Sequence, residues 1–179
     1  MVLSMGCSTI SKPATSKSAL VLTIPCDANG MREADFDADP QYPYRICRLH
    51  VLLSNTGKDP VKFWEECVSW GYYSLQLELI APDGQQHLLK KKRRAFYENA
   101  PAFRILQPGE AMIWDVGLAS DVWGDLSWVP ENKILDVKIR AIYDVEPDVE
   151  SAARGVWTGR LSSQLYDCRI SRIGKREYK

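Results

Sequence analysis

Residues 74–94 read SLQLELIAPDGQQHLLKKKRR. Leu75, Leu77 and Leu79 alternate with Gln76 and Glu78. Successive side chains on a strand point to opposite faces, so this period of two predicts a strand with one apolar face and one wet face. Pro82, Asp83 and Gly84 then supply turn chemistry: Pro fixes φ, Asp bonds to the local backbone and Gly accepts a positive φ. The chain is expected to reverse there and return along 86–93, a hairpin whose second arm carries Lys90, Lys91, Lys92, Arg93 and Arg94. Five adjacent cations read as the armour of an edge strand, because charge opposes pairing with another chain. Docking to an anionic surface, lipid headgroups or acidic glycan, is the other reading of the run.

The same punctuation continues on both sides of the hairpin. Strands are expected at 19–25, 44–53, 103–106, 111–118, 134–144 and 156–170, with a short strand or bent connection across 61–64 and 67–70. Asn55-Thr56-Gly57-Lys58-Asp59-Pro60 and Gln107-Pro108-Gly109-Glu110 are dense turn signals, each following a run of β formers. Residues 123–132 form a Gly- and Pro-bearing loop with room for a helical turn, and 145–150 an acidic bend. Strands about ten residues apart with turns between them are the pattern of an antiparallel sandwich rather than of alternating βα units. The expected fold is an all-β immunoglobulin-like sandwich: one domain over 19–173, a flexible leader over 1–18 and a short tail over 174–179.

Composition agrees and excludes some functions. A chain of 179 residues, 45% hydrophobic, buries roughly 70% of the surface its unfolded form exposes and needs no cofactor to build a core. Six Trp and eight Tyr suit a sandwich interior. With 23 basic and 23 acidic side chains there is no positive field of the kind nonspecific nucleic-acid binding requires. No run of about 18 apolar residues offers a membrane-spanning helix.

Val2-Leu3-Ser4-Met5-Gly6-Cys7 resembles the end of a lipoprotein signal, with Gly directly before Cys and a small, polar, Pro-containing stretch, 8–18, behind it. Such a stretch makes a tether. Ser4 stands where Leu is usual, and the charged and apolar regions of a signal are not in residues 1–6. The resemblance implies lipid attachment at Cys7, membrane association through that anchor and a place in the cell envelope; the other reading is a disordered cytoplasmic leader with an incidental cysteine. Setting Cys7 aside leaves Cys26, Cys47, Cys67 and Cys168, enough for two disulfides in three connectivities or for free thiols acting as small hydrophobes.

Asp35, Asp37 and Asp39 imitate the start of a calcium loop, but Pro40 replaces the required Gly and Ile46 the bidentate Glu, so no EF-hand is expected. No CxxC pair and only two His argue against structural zinc, and no metal or other cofactor is expected. His50 lies in an apolar strand and is expected to be partly buried, His87 follows a turn, and neither has a partner evident in sequence. Glu65 and Glu66 are neighbours whose side chains diverge on a strand. No nucleophile elbow, phosphate loop or zinc-protease helix is present, so no enzyme is expected. The suggestive feature is aromatic: Trp64, Trp70, Tyr72 and Tyr73 precede the hairpin, and Trp123 and Trp128 lie in the later loop. Sandwich loops cluster at the two ends of the fold, so these rings would make one binding surface for a protein or glycan partner if they shared an end. Filling the core is the alternative use of the same rings.

The order of strand, Asn55-Thr56-Gly57-x-x-Pro60, strand ending in Asp83-Gly84, and Leu106-x-Pro108-Gly109-Glu110 before an aromatic strand resembles bacterial immunoglobulin-like domains, among them that of the intracellular proteinase inhibitor family, across about residues 49–143. Residues 156–163, VWTGRLSS, are similar to the closing strand of such exported domains. The resemblance implies a noncatalytic binding or structural module. Its inhibitor branch implies a protruding loop, at 98–102 or 123–130.

Overall fold

The computed structural model describes residues 20–25, 31–32, 48–97, 99–118, 122–124, 126–130 and 133–171. Cys7 and the leader, Cys26, Asp35, Asp37, Asp39, Cys47 and the tail lie outside the described residues.

The protein is an all-β antiparallel sandwich. One sheet has the order β1–β3–β8, formed by β1 (Leu20–Thr23), β3 (Arg48–Asn55) and β8 (Ala111–Gly117). The larger sheet runs β2–β11–β9–β5–β6, from β2 (Met31–Arg32), β11 (Tyr166–Ser171), β9 (Ile134–Val145), β5 (Leu75–Ile80) and β6 (Gln86–Leu89). The short β2 lies parallel to β11. A ribbon of β4 (Val61–Trp64) and β7 (Phe103–Leu106) continues the β3–β8 pair beyond its two turns.

The hairpin of 74–94 anchors the large sheet. Leu75, Leu77 and Leu79 are essentially inaccessible and stand in register with Tyr143, Ala141 and Ile139 of β9. The alternate face is drier than expected: Gln76 is buried, and Glu78 pairs with Arg140 on β9 at 2.6 Å. Leu49, Val51 and Leu53 on β3 and Trp114 and Val116 on β8 turn inward from the smaller sheet, and Trp114 meets Tyr143 across the gap with ring centroids 5.4 Å apart.

Asn55 ties the two turns together. Its amide side chain donates to the carbonyls of Asp59 and Leu106 at 2.9 Å each and accepts from Gly57 N, while its backbone bonds Glu110 and Gly109. A buried amide with these groups satisfied locks the geometry in which β3–β8 passes into β4–β7.

Three expectations need correction. The strand expected over 156–170 is two, β10 (Gly159–Ser162) and β11, which pair with successive halves of β9. The break falls at Ser163, whose backbone donates to Ala141 O and whose hydroxyl accepts from Ala141 N, a side chain standing in for one ladder group. The acidic bend contains a helix, α2 (Val149–Arg154), and a second four-residue helix, α1 (Ser69–Tyr72), lies where a strand or bent connection was expected. Asp148 caps α2 by accepting from Ser151 N while Ser151 Oγ accepts from Asp148 N, and Gly155 closes it at φ 63, the left-handed conformation that glycine takes without strain.

Candidate functional site

β6 ends at Leu89, so the basic run lies past the strand and not along it. From there the chain pairs with the later loop: Lys92 N donates to Val122 O, Gly124 N donates to Lys90 O, and Lys91 bridges Trp123. Backbone from 122–124 therefore meets the prolongation of the edge strand, a cover for an edge that charge alone was expected to supply.

The five cations separate accordingly. Lys91 is not on the exposed basic edge: it is buried, its ammonium pairs with Glu66 and faces the rings of Tyr72 at 4.7 Å and Trp123 at 5.8 Å. Lys90, Lys92, Arg93 and Arg94 are exposed. The Arg94 guanidinium sits over Tyr72 at 4.3 Å and Phe96 at 4.6 Å, two rings set at 73° to each other. Arg94 N donates to the Tyr73 hydroxyl at 3.2 Å. Contact with ring faces uses the guanidinium's π surface and leaves the N–H donors around its rim to the outside.

Charge pairing is uneven over the surface. Arg140 pairs with Glu78, Lys138 with Asp167, Arg160 with Asp144 and Arg169 with Asp136. Among the described residues no carboxylate pairs with Lys90, Arg93 or Arg94. Tyr73 is 37% exposed and Tyr97 99%, so aromatic surface flanks the uncompensated charge.

The aromatic residues singled out in the sequence fall into separate groups. Trp64, Tyr72 and Trp123 are buried and line no open surface; their ring area belongs to the core, where aromatic burial is most stabilising. Trp70 is half-buried, 5.6 Å from Trp64, and its indole donates to Asp148 at 3.0 Å. Tyr72, Tyr73 and Trp123 do meet, through Lys91 and the contact of the two tyrosines at 5.0 Å. Trp128 instead stacks on His87 at 3.9 Å and 4°, with Trp128 Nε1 and His87 Nε2 both buried and without a hydrogen-bond partner.

Neither loop proposed for inhibition stands clear of the body in its described part. Asn99 exchanges hydrogen bonds with Ser69 and Ala102 O accepts from Glu65 N, while Trp123 and Val129 are buried. His50, expected to be partly buried, is exposed on the outer face of β3, with Nδ1 2.5 Å from Asp115 of β8. Cys67 is an exposed thiol that donates to Glu65, and its pKa is raised by its surroundings and by that carboxylate. Among the described residues no group of three His, Cys, Asp or Glu is placed to hold a metal ion, and no helix is long and apolar enough to cross a membrane.

Phe96 and Tyr97 were missed in the sequence, and Glu66 was weighed there only as a neighbour of Glu65 and not as the partner of Lys91. A signal for Phe96 was there: in extended chain, Arg94 and Phe96 lie on one side, two residues apart. No known family model, curated protein or solved structure matches this chain.

Proposed function

We propose that this protein is a noncatalytic binding module, exported and held at the cell envelope by a lipid on Cys7, that captures an acidic segment of a partner protein at the Arg94 end of the sandwich. The observation that carries the reading is the seat of Arg94: a guanidinium held against Tyr72 and Phe96, which like Lys90 and Arg93 has no carboxylate partner among the described residues. A guanidinium fixed by ring contacts loses little freedom when it forms a two-pronged bond, and its planar fork matches a carboxylate. Tyr73 and Tyr97 offer apolar surface beside it, as a peptide with interleaved apolar side chains would use.

Fluorescence anisotropy with a labelled glutamate-rich peptide tests the site. Binding should weaken as salt rises, and Arg94→Ala should weaken it about tenfold or more, in line with the ~1.5–3 kcal/mol of a charged hydrogen bond. Equal affinity for Arg94→Ala would overturn the site. Binding of a polyuronate but not of the peptide would replace the protein partner by an acidic glycan. The anchor is tested separately by fractionating cells that express Cys7→Ser, which should lose any membrane-bound pool.

A further inference from the structure

We infer that β8 is the contact strand of a symmetric dimer, pairing antiparallel with β8 of a second copy about a two-fold axis at Ile113. The argument begins with hydrogen-bond alternation. Asn55 bonds Glu110 and Gly109 with both of its backbone groups, so on β3 the positions that bond β8 are Asn55, Leu53, Val51 and Leu49. Their partners on β8 are Met112, Trp114 and Val116. Since alternate residues of an edge strand point their N–H and C=O to opposite sides, Ala111, Ile113, Asp115 and Gly117 present theirs away from the sheet. Among the described residues no strand takes them up.

This edge is longer than those of β1, β2, β6, β7 and β10. The chain leaving β6 is met by 122–124, β2 is two residues long, and β1 comes close to β9 and β10 of the opposite sheet. β8 offers seven residues with no Lys and no Pro, the devices that otherwise protect an edge. Its outer face carries Ile113 at 60% exposure, in a row with Leu52 and Thr23 across the sheet.

The occupant is set by self-complementarity. With the axis at Ile113, that residue exchanges both backbone bonds with its own copy, and Ala111 faces Asp115 of the second chain. The row of Thr23, Leu52 and Ile113 then runs on into its symmetry mate, burying the exposed isoleucine. Moving the axis to Trp114 sets Ile113 opposite Asp115, and moving it to Asp115 sets two like charges face to face, which is destabilising. The axis at Ile113 thus satisfies the backbone, the apolar row and the charges together, which the shifts to Trp114 and Asp115 do not.

Sedimentation equilibrium of the whole chain over a concentration series tests this. Wild type should approach twice the 20.3 kDa of one chain. Ile113→Pro removes an N–H that no strand among the described residues takes up, a substitution edge strands accept, and Ile113→Lys leaves the backbone intact but puts like charges on the axis; both should sediment as monomers with an unchanged circular dichroism spectrum. Amide exchange at Ile113 and Asp115 should slow as concentration rises in wild type only. A wild type that stays monomeric at about 1 mM, or a dimer that survives Ile113→Lys, overturns the proposal. A monomer whose β8 takes up an added extended peptide overturns it as well and assigns the edge to a foreign strand.

Discussion

Five neighbouring cations, identical in character as sequence, divide into one structural residue and four surface ones. Lys91 lies under Tyr72 and Trp123 with Glu66 as its counter-charge, while Lys90 points into solvent. An ammonium taken out of water needs its partner, and removing only the partner leaves an uncompensated charge. Glu66→Ala should cost about 1–2 kcal/mol in urea denaturation, toward the low end for a buried donor because nearly half of the Glu66 side chain is in water. Lys91→Met in the Glu66→Ala background should recover most of that loss, since an apolar side chain of similar length needs no counter-charge. Lys90→Ala should stay within about 0.5 kcal/mol of wild type, as exposed substitutions do. Equal costs for Glu66→Ala and Lys90→Ala would contradict the burial of Lys91. The distinction was not legible in the sequence, because the rings that shelter Lys91 come from residues 72 and 123, brought together only by tertiary pairing.

At the scale of elements, patterns that close locally were legible and those that close through a distant partner were not. The alternation in β5, the Asp83-Gly84 turn and the Asn55 turn each carry their reason within a few residues, and β7 lies where 103–106 was read as a strand. The split between β10 and β11 depends on Ser163 entering the ladder of β9, which no local pattern announces. Helix α2 is different, for its signals were local: Asp148 at the N-cap, Ser151 three residues on and Gly155 after the last turn. They are outweighed because Asp148 and Glu150 flank Val149 and, with Glu146 and Pro147 just before them, read as an acidic bend. The cap also ties α2 to the aromatic end, since Asp148 accepts from Trp70 as well as from Ser151. The Ser151 backbone bond, reinforced by the Ser151 and Trp70 side chains, holds the Asp148 carboxyl below its ordinary value. The depressed folded value means that its contribution is present above the ordinary aspartate pKa of about 3.9 and fades as pH falls through the lower folded one. Asp148→Ala should therefore cost about 0.5–2 kcal/mol at neutral pH, with the gap to wild type narrowing in melts below about pH 3.9. A gap that stays constant into strong acid would show that the charge has no part in the cap.

For the whole molecule, the two sheets share one apolar interior, and the strand that opens the described chain is part of it. Leu20, Leu22 and Ile24 are all buried, and β1 pairs with β3 from Leu20↔Asn55 to Thr23↔Leu52. The sequence marks 8–18 as polar and without apolar periodicity, a composition that supplies no core. Two truncations divided by only seven residues should thus behave in opposite ways. Removing residues 1–18 keeps β1 and should leave the melting temperature within a few degrees of the full chain, because a polar segment without apolar periodicity brings little to a core. Removing residues 1–25 strips three core side chains, each worth about 2–5 kcal/mol on the scale of large-to-small substitutions, and exposes the edge of β3. Set against the ~5–15 kcal/mol of an ordinary domain, that loss should leave the chain unfolded or aggregated at room temperature. A cooperative melt for the second truncation close to that of the first would mean that β1 is an accessory strand and that the core closes without it.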